Sequence, residues 1–117
     1  MTIRDKVNAI AAELPGAEID HPFDTHHDAW KVGGKMFTMI GSKLLGVSLK
    51  TPDVETAQML IDAGVAQKAP YFHRSWVLLP VDVNEDELRH RIVVSYDTVR
   101  AGLPKKVQAA LSERNDL

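Results

Sequence analysis

A pair of glycines, Gly33-Gly34, stands between two short runs, AWKV and KMFTMI, rich in aromatic, β-branched and long apolar residues. Two consecutive glycines accept the positive φ angles of a two-residue hairpin turn, so the flanking runs are expected to pair as adjacent antiparallel strands. A third run, LLGVSLK, follows after only Gly41-Ser42-Lys43. That link is too short for a parallel neighbour, which needs a crossover of roughly a dozen residues. In this run Leu45, Val47 and Leu49 can face a core while Ser48 and Lys50 face outward. The centre of the chain therefore reads as a three-stranded antiparallel meander, and the rest must be arranged around it.

The flanking segments supply helices. Thr2 can cap a helix whose apolar residues Ile3, Val7, Ile10, Ala11 and Leu14 recur on one face, and Pro15-Gly16 stops it. The following AEIDHPFDTHHD has neither helical nor strand period and is expected to be a surface loop. Thr51-Pro52-Asp53 offers a capping hydroxyl, a first-turn proline and an early acid to a second helix, with Val54, Ala57, Leu60 and Ile61 as its stripe and Gly64 as its end. After a connector through Pro70, HRSWVLLPV reads as one strand, bent or paired with a neighbouring run. Asn84 and Glu87 form a capping-box pattern ahead of Leu88, Ile92, Tyr96 and Val99, and Pro104 opens a last helix with Val107, Ala110 and Leu111. The order is helix, three strands, helix, one or two strands, two helices. It predicts an α+β two-layer sandwich, an antiparallel sheet with helices packed on one face, as a single domain over residues 1–117.

Composition narrows the chemistry. With no cysteine, disulfides, thiolate nucleophiles and cysteine-ligated metal sites are excluded. No apolar run approaches the roughly 18 residues of a membrane span, and MTIRDKVNAI lacks the apolar stretch of a signal peptide, so a cytoplasmic protein without a membrane partner is expected. The net charge is −2 but unevenly spread. Lys31, Lys35, Lys43 and Lys50 share one stretch without an acid, Lys68 and Arg74 another, and the acidic excess lies elsewhere.

Taken in order, Lys31-Val-Gly-Gly-Lys35-Met-Phe, Val47-Ser-Leu-Lys50 before a Pro-Asp helix start, Pro70-Tyr-Phe-His73 before Trp76, Ser95-Tyr96-Asp97 and Leu103-Pro104-Lys105-Lys106 resemble the pattern of the MmcQ/YjbR-like family, from Leu14 to Leu111. The resemblance implies a fold similar to bacterial frataxin and to double-wing DNA-binding domains, and a DNA-binding role. It does not extend to iron, because the first helix offers only Asp5 and Glu13, balanced by Arg4 and Lys6.

The residues themselves leave several functions open. Phosphates are held by Lys and Arg on a groove or sheet, so Lys31, Lys35, Lys43, Lys50 and Arg74 would form a nucleic-acid face if they point away from the helices, with Trp76 as a stacking surface. The competing reading is that strand lysines keep sheet edges soluble, and that Trp30 and Trp76 are packing residues. His21, Asp24, His26, His27 and Asp28 are all possible metal ligands, yet their spacing presets no geometry and they read first as solvated loop residues, with Pro22 and Phe23 anchoring the segment. Gly33-Gly34-Lys35 is no phosphate loop, because strand residues follow it. Ser42, Ser48, Ser75 and Ser95 lack a nucleophile elbow, and Tyr96 on the apolar face of its helix is expected in the core with its hydroxyl on a polar partner. Lys105 and Lys106 either extend a basic patch or are simply solvated. The expected function is a non-enzymatic DNA-associated module with no cofactor; the alternatives are a small-molecule or protein-interaction domain and, third, a His/Asp metal protein.

Overall fold

The structure, a computed structural model, describes residues 2–21, 27–41 and 46–111. Helix α1 (Ile3–Ala12) starts as expected: the Thr2 hydroxyl accepts the Asp5 amide and the Asp5 carboxylate accepts the Thr2 amide, both at 3.1 Å. These two bonds satisfy donors that the first turn leaves open, and the bond from the Thr2 amide holds the Asp5 carboxyl below its usual range.

Strand β1 (Glu18–Asp20) corrects the sequence reading, which placed this stretch in a loop. All three of its residues are exposed, so no alternation of apolar and polar residues marks it; backbone pairing with β2 at the sheet edge makes it a strand. The hairpin of β2 (Asp28–Val32) and β3 (Lys35–Ile40) turns on Gly33 and Gly34, at φ 57° and 81°. Strand β4 (Val47–Lys50) follows; Leu45, expected to face its core side, and Lys43 lie outside the described residues.

Helix α2 (Val54–Asp62) is capped by Asp53, whose carboxylate accepts the Thr56 amide at 2.7 Å, not by the Thr51 hydroxyl. Thr51 instead donates to the Ser75 carbonyl at 2.7 Å, so the extra residues push the helix start forward. A two-residue strand β5 (Gln67–Lys68) lies in the stretch read as a connector, and the expected strand around Trp76 is shorter than HRSWVLLPV, covering only β6 (Trp76–Leu79), with which β5 pairs. Asn84 caps α3 (Glu85–Ala101) through the amides of Asp86 and Glu87, while the Glu87 side chain pairs with Arg91 rather than closing the box. Helix α4 (Lys105–Ala109) follows Pro104.

The six strands form one sheet in the order β1-β2-β3-β4-β6-β5, every pair antiparallel. Register sets which residues share a face. The rows Asp28–Ile40–Val47–Leu79 and Trp30–Thr38–Leu49–Val77 are buried throughout. They meet α3, which lies over β3 and β4 and sets the Tyr96 ring edge-on to Phe37 at 5.4 Å. One continuous core joins these rows to Val7 and Ile10 of α1, Ala57 and Leu60 of α2, and Leu88 and Ile92 of α3. The opposite face carries Ala29, Met39, Ser48, Leu78 and Gln67 in a row, with Met39 and Leu78 half-buried and Gln67 exposed.

A bulge interrupts β2 and β3: Trp30 faces Thr38, but Lys31 faces Met36, leaving Phe37 without an opposite number. Strands β3 and β4 are in register only from Thr38↔Leu49 to Ile40↔Val47. Beyond that point Ser95 of α3 fills the gap. Its hydroxyl donates to the Phe37 carbonyl and accepts the Lys50 amide at 2.8 Å. Its neighbour Tyr96 is fully buried, and its hydroxyl donates to the Pro15 carbonyl and accepts Arg100 at 2.9 Å, as its place on the apolar face predicts.

Candidate functional site

The register places the β2–β3 turn, the end of β4, the start of β6 and the last turns of α3 at one end of the sheet. Lys35 and Lys50 open into the same shallow cleft there, a space of about 290 Å³ also lined by Met36, Trp76, Thr98 and Leu103. Leu103 packs close to Gly33, which ties the start of α4, and so Lys105 and Lys106, to this end. Arg74 is exposed in the turn before β6. Among the described residues, neither Lys35 nor Arg74 is held by a carboxylate. Two acids lie close by: Asp53, used as the α2 cap, and Asp97, which lines a neighbouring hollow with Pro52 and Ala101.

Lys50 is fixed by its surroundings. Its ammonium donates to Ser75 Oγ at 2.9 Å, and that oxygen lies 2.9 Å from His73 Nδ1. The Ser75 amide also lies on Nδ1, at 3.1 Å, so the ring, the serine and the lysine form one connected set. Thr51 binds the Ser75 carbonyl through both its amide and its hydroxyl. A Ser and a His in contact beside a Lys invite comparison with a nucleophilic dyad, but Ser75 is buried and its hydroxyl is spent between Lys50 and His73. What the arrangement does chemically is hold a cation at the cleft.

The remaining predicted residues separate from this group. Lys31 shares the outer face with Met36 by register, but its ammonium sits 2.8 Å from Asp20. That bond, with the His21 amide, keeps the Asp20 carboxyl below its ordinary value. Trp76 lines the cleft, yet only 8% of it is exposed and its ring stacks on Phe72 at 4.5 Å, so it offers little open ring face. His73, Ser75, Thr98 and Leu103 were not singled out as site residues from sequence, and nothing about a His two residues before a Ser announces that the pair will hold a lysine from another strand.

Of the possible metal ligands, Asp24 and His26 lie outside the described residues. His21 and Asp28 are 3.2 Å apart, but Asp28 is already taken by Arg4 at 2.7 Å and by the Asn8 amide at 3.1 Å. Among the described residues no three His or acidic side chains gather in a way that would hold a metal ion.

At the opposite end of the sheet, the end of β1, the start of β2 and the entry to α3 bring Asp20, Asp28, Asp82, Glu85, Asp86 and Glu87. Three of these acids are paired, Asp20 with Lys31, Asp28 with Arg4 and Glu87 with Arg91, so the acidic excess at this end comes from Asp82, Glu85 and Asp86, while Lys35 and Arg74 at the cleft end have no carboxylate partner among the described residues.

Comparison with known proteins fits this architecture. The chain is 28% identical over 113 residues to the uncharacterized protein YbdF of Escherichia coli O157:H7, with 92% of each chain covered. Its fold is similar to the crystal structure of Deinococcus radiodurans protein DR2400, a DUF419 domain, with a TM-score of 0.80 and 24% identity over 93% of this chain and 87% of that one. No helix among the described residues is long and apolar enough to cross a membrane. A family model, YjbR, matches residues 12–98, and with that span of the sheet and of α3 included, the chain belongs to the YjbR family.

Proposed function

We propose that this domain is a non-enzymatic, DNA-associated module that meets the phosphate backbone with the cationic end of its sheet. One observation carries the reading: Lys35 and Lys50, from different strands, open into one cleft, with Arg74 in the turn that supports Lys50. The middle of the outer sheet face is neutral and partly apolar, so the contact surface is the end of the sheet and not its breadth. Lys31 contributes less than its neighbours because Asp20 already neutralises it.

Anisotropy titration of a short labelled duplex across a salt series tests this. Neutralising about three to five phosphates gives a log–log salt slope of about −3 to −4.5, and Lys35→Ala reduces the slope by about one. Absence of binding at low ionic strength, or binding indifferent to salt, refutes the reading.

The cleft itself favours one other reading. Met36, Trp76, Val99 and Leu103 give it an apolar lining under two lysines, as a small amphipathic anion would require. A thermal-shift screen in which small organic anions raise the midpoint while duplex DNA does not would select that reading over the first.

A further inference from the structure

Tyr71 is the one non-glycine residue with a positive φ among the described residues, at 69°. A side chain in the left-handed region is strained, and residues held there are worth reading for function. Tyr71 is also fully exposed. The segment around it is firmly built: the Phe72 amide donates to the Ala69 carbonyl, the Phe72 ring stacks on Trp76, and His73 and Ser75 lace the turn to Lys50. The chain therefore holds an aromatic ring out into water, on a backbone it does not prefer, three residues before Arg74 and next in sequence to Phe72, whose ring stacks on the cleft residue Trp76.

We propose that the loop from Ala69 to Ser75 is a stacking platform for an unpaired base, so that the preferred ligand is single-stranded DNA. This rests on the phosphate-contact reading above and narrows it. In a duplex the faces of the bases are covered by their neighbours and a protruding ring has nothing to stack on, whereas a single strand offers a base face beside each phosphate. Tyr71 takes the base; Arg74, Lys50 and Lys35 take the adjoining phosphates. The stretch 65–81 contains Lys68 and Arg74 and no acid, so no charge on the loop opposes the strand.

The test compares oligothymidylate with a duplex of equal length, both labelled, at low salt. Wild type binds the single strand more tightly. Tyr71→Gly relaxes the backbone and so leaves the thermal midpoint unchanged or higher, yet it weakens single-strand binding roughly 5- to 150-fold, the range for loss of one stacked base. Tyr71→Phe, which keeps the ring, retains the affinity. Equal single-strand binding by Tyr71→Gly and wild type overturns the inference, as does a wild-type preference for the duplex. If Lys35→Ala weakens both ligands while Tyr71→Gly weakens neither, the phosphate reading stands and the stacking platform falls. If wild type binds neither ligand, both fall together.

Discussion

Replacing Ser95 by alanine tests the joint on which the cleft is built. The hydroxyl is the only bridge described between the Phe37 carbonyl, freed by the bulge, and the Lys50 amide, freed where β4 leaves its register with β3. Alanine leaves both groups in place with no room for water, since position 95 is fully buried. Each unsatisfied buried group costs about 1–3 kcal/mol, with the partly buried Lys50 amide at the low end. Alanine returns at most about 0.5 kcal/mol through its better helix propensity. The expected net loss is about 1.5–3.5 kcal/mol, a drop in thermal midpoint on the order of 10 °C for a chain of this size. Urea unfolding monitored by circular dichroism measures it, and amide hydrogen exchange adds a local reading, because the Lys50 N–H loses its acceptor and exchanges faster. Thr98→Ala, one turn along the same helix and losing only a bond back to the Val94 carbonyl, serves as the control and changes stability by less than about 0.5 kcal/mol. A Ser95→Ala loss no larger than that control, with unchanged exchange at Lys50, would refute the bridge.

Two further perturbations follow from the same coordinates. Burial alone would raise the Asp28 carboxyl, but the Asn8 amide and the Arg4 guanidinium hold it below its ordinary value, so its contribution is present above the unfolded value near pH 4 and is lost as pH falls through the folded one. Asp28→Asn is therefore less stable than wild type at neutral pH, by about 1–3 kcal/mol, and urea midpoints of the two should converge as pH drops below about 4; a gap that persists at low pH contradicts the assignment. Gly46 lies where β4 meets β6, and a methyl group there would sit 2.2 Å from the Leu79 carbonyl oxygen. Gly46→Ala must push the strands apart at Val47↔Leu79, with a loss of about 2–3 kcal/mol in urea unfolding, and wild-type stability would show the approach to be looser than described.

Where the pattern of side chains reports on burial, the sequence was legible. The helical stripe of α1 and the glycine turn pointed to the hairpin, the helix layer and the fold class, whereas in β4 Ser48, expected to face outward, lies on the opposite sheet face but is buried. Where a strand exists only because a neighbour's backbone is available, it was not: β1 and β5 carry no buried residue and leave no hydrophobic trace. The candidate site was legible in part. Lys35 and Lys50 emerged from a count of charges, and antiparallel pairing then brought them to one cleft. That Lys31 would be neutralised depended on Asp20 belonging to a strand that the pattern hid, so the pair could not be foreseen. Tyr71 escaped notice because backbone handedness at a single loop residue has no signature in residue type when the residue is not glycine.

The separation of charge along the strands gives the molecule a direction. If the proposed polyanionic partner is met, it would be repelled by Asp82, Glu85 and Asp86 and drawn to Lys35, Lys50 and Arg74, so the domain would be turned before contact. On that proposal a modest negative total would be no obstacle: it would act as a rudder, leaving one way round for the encounter to succeed.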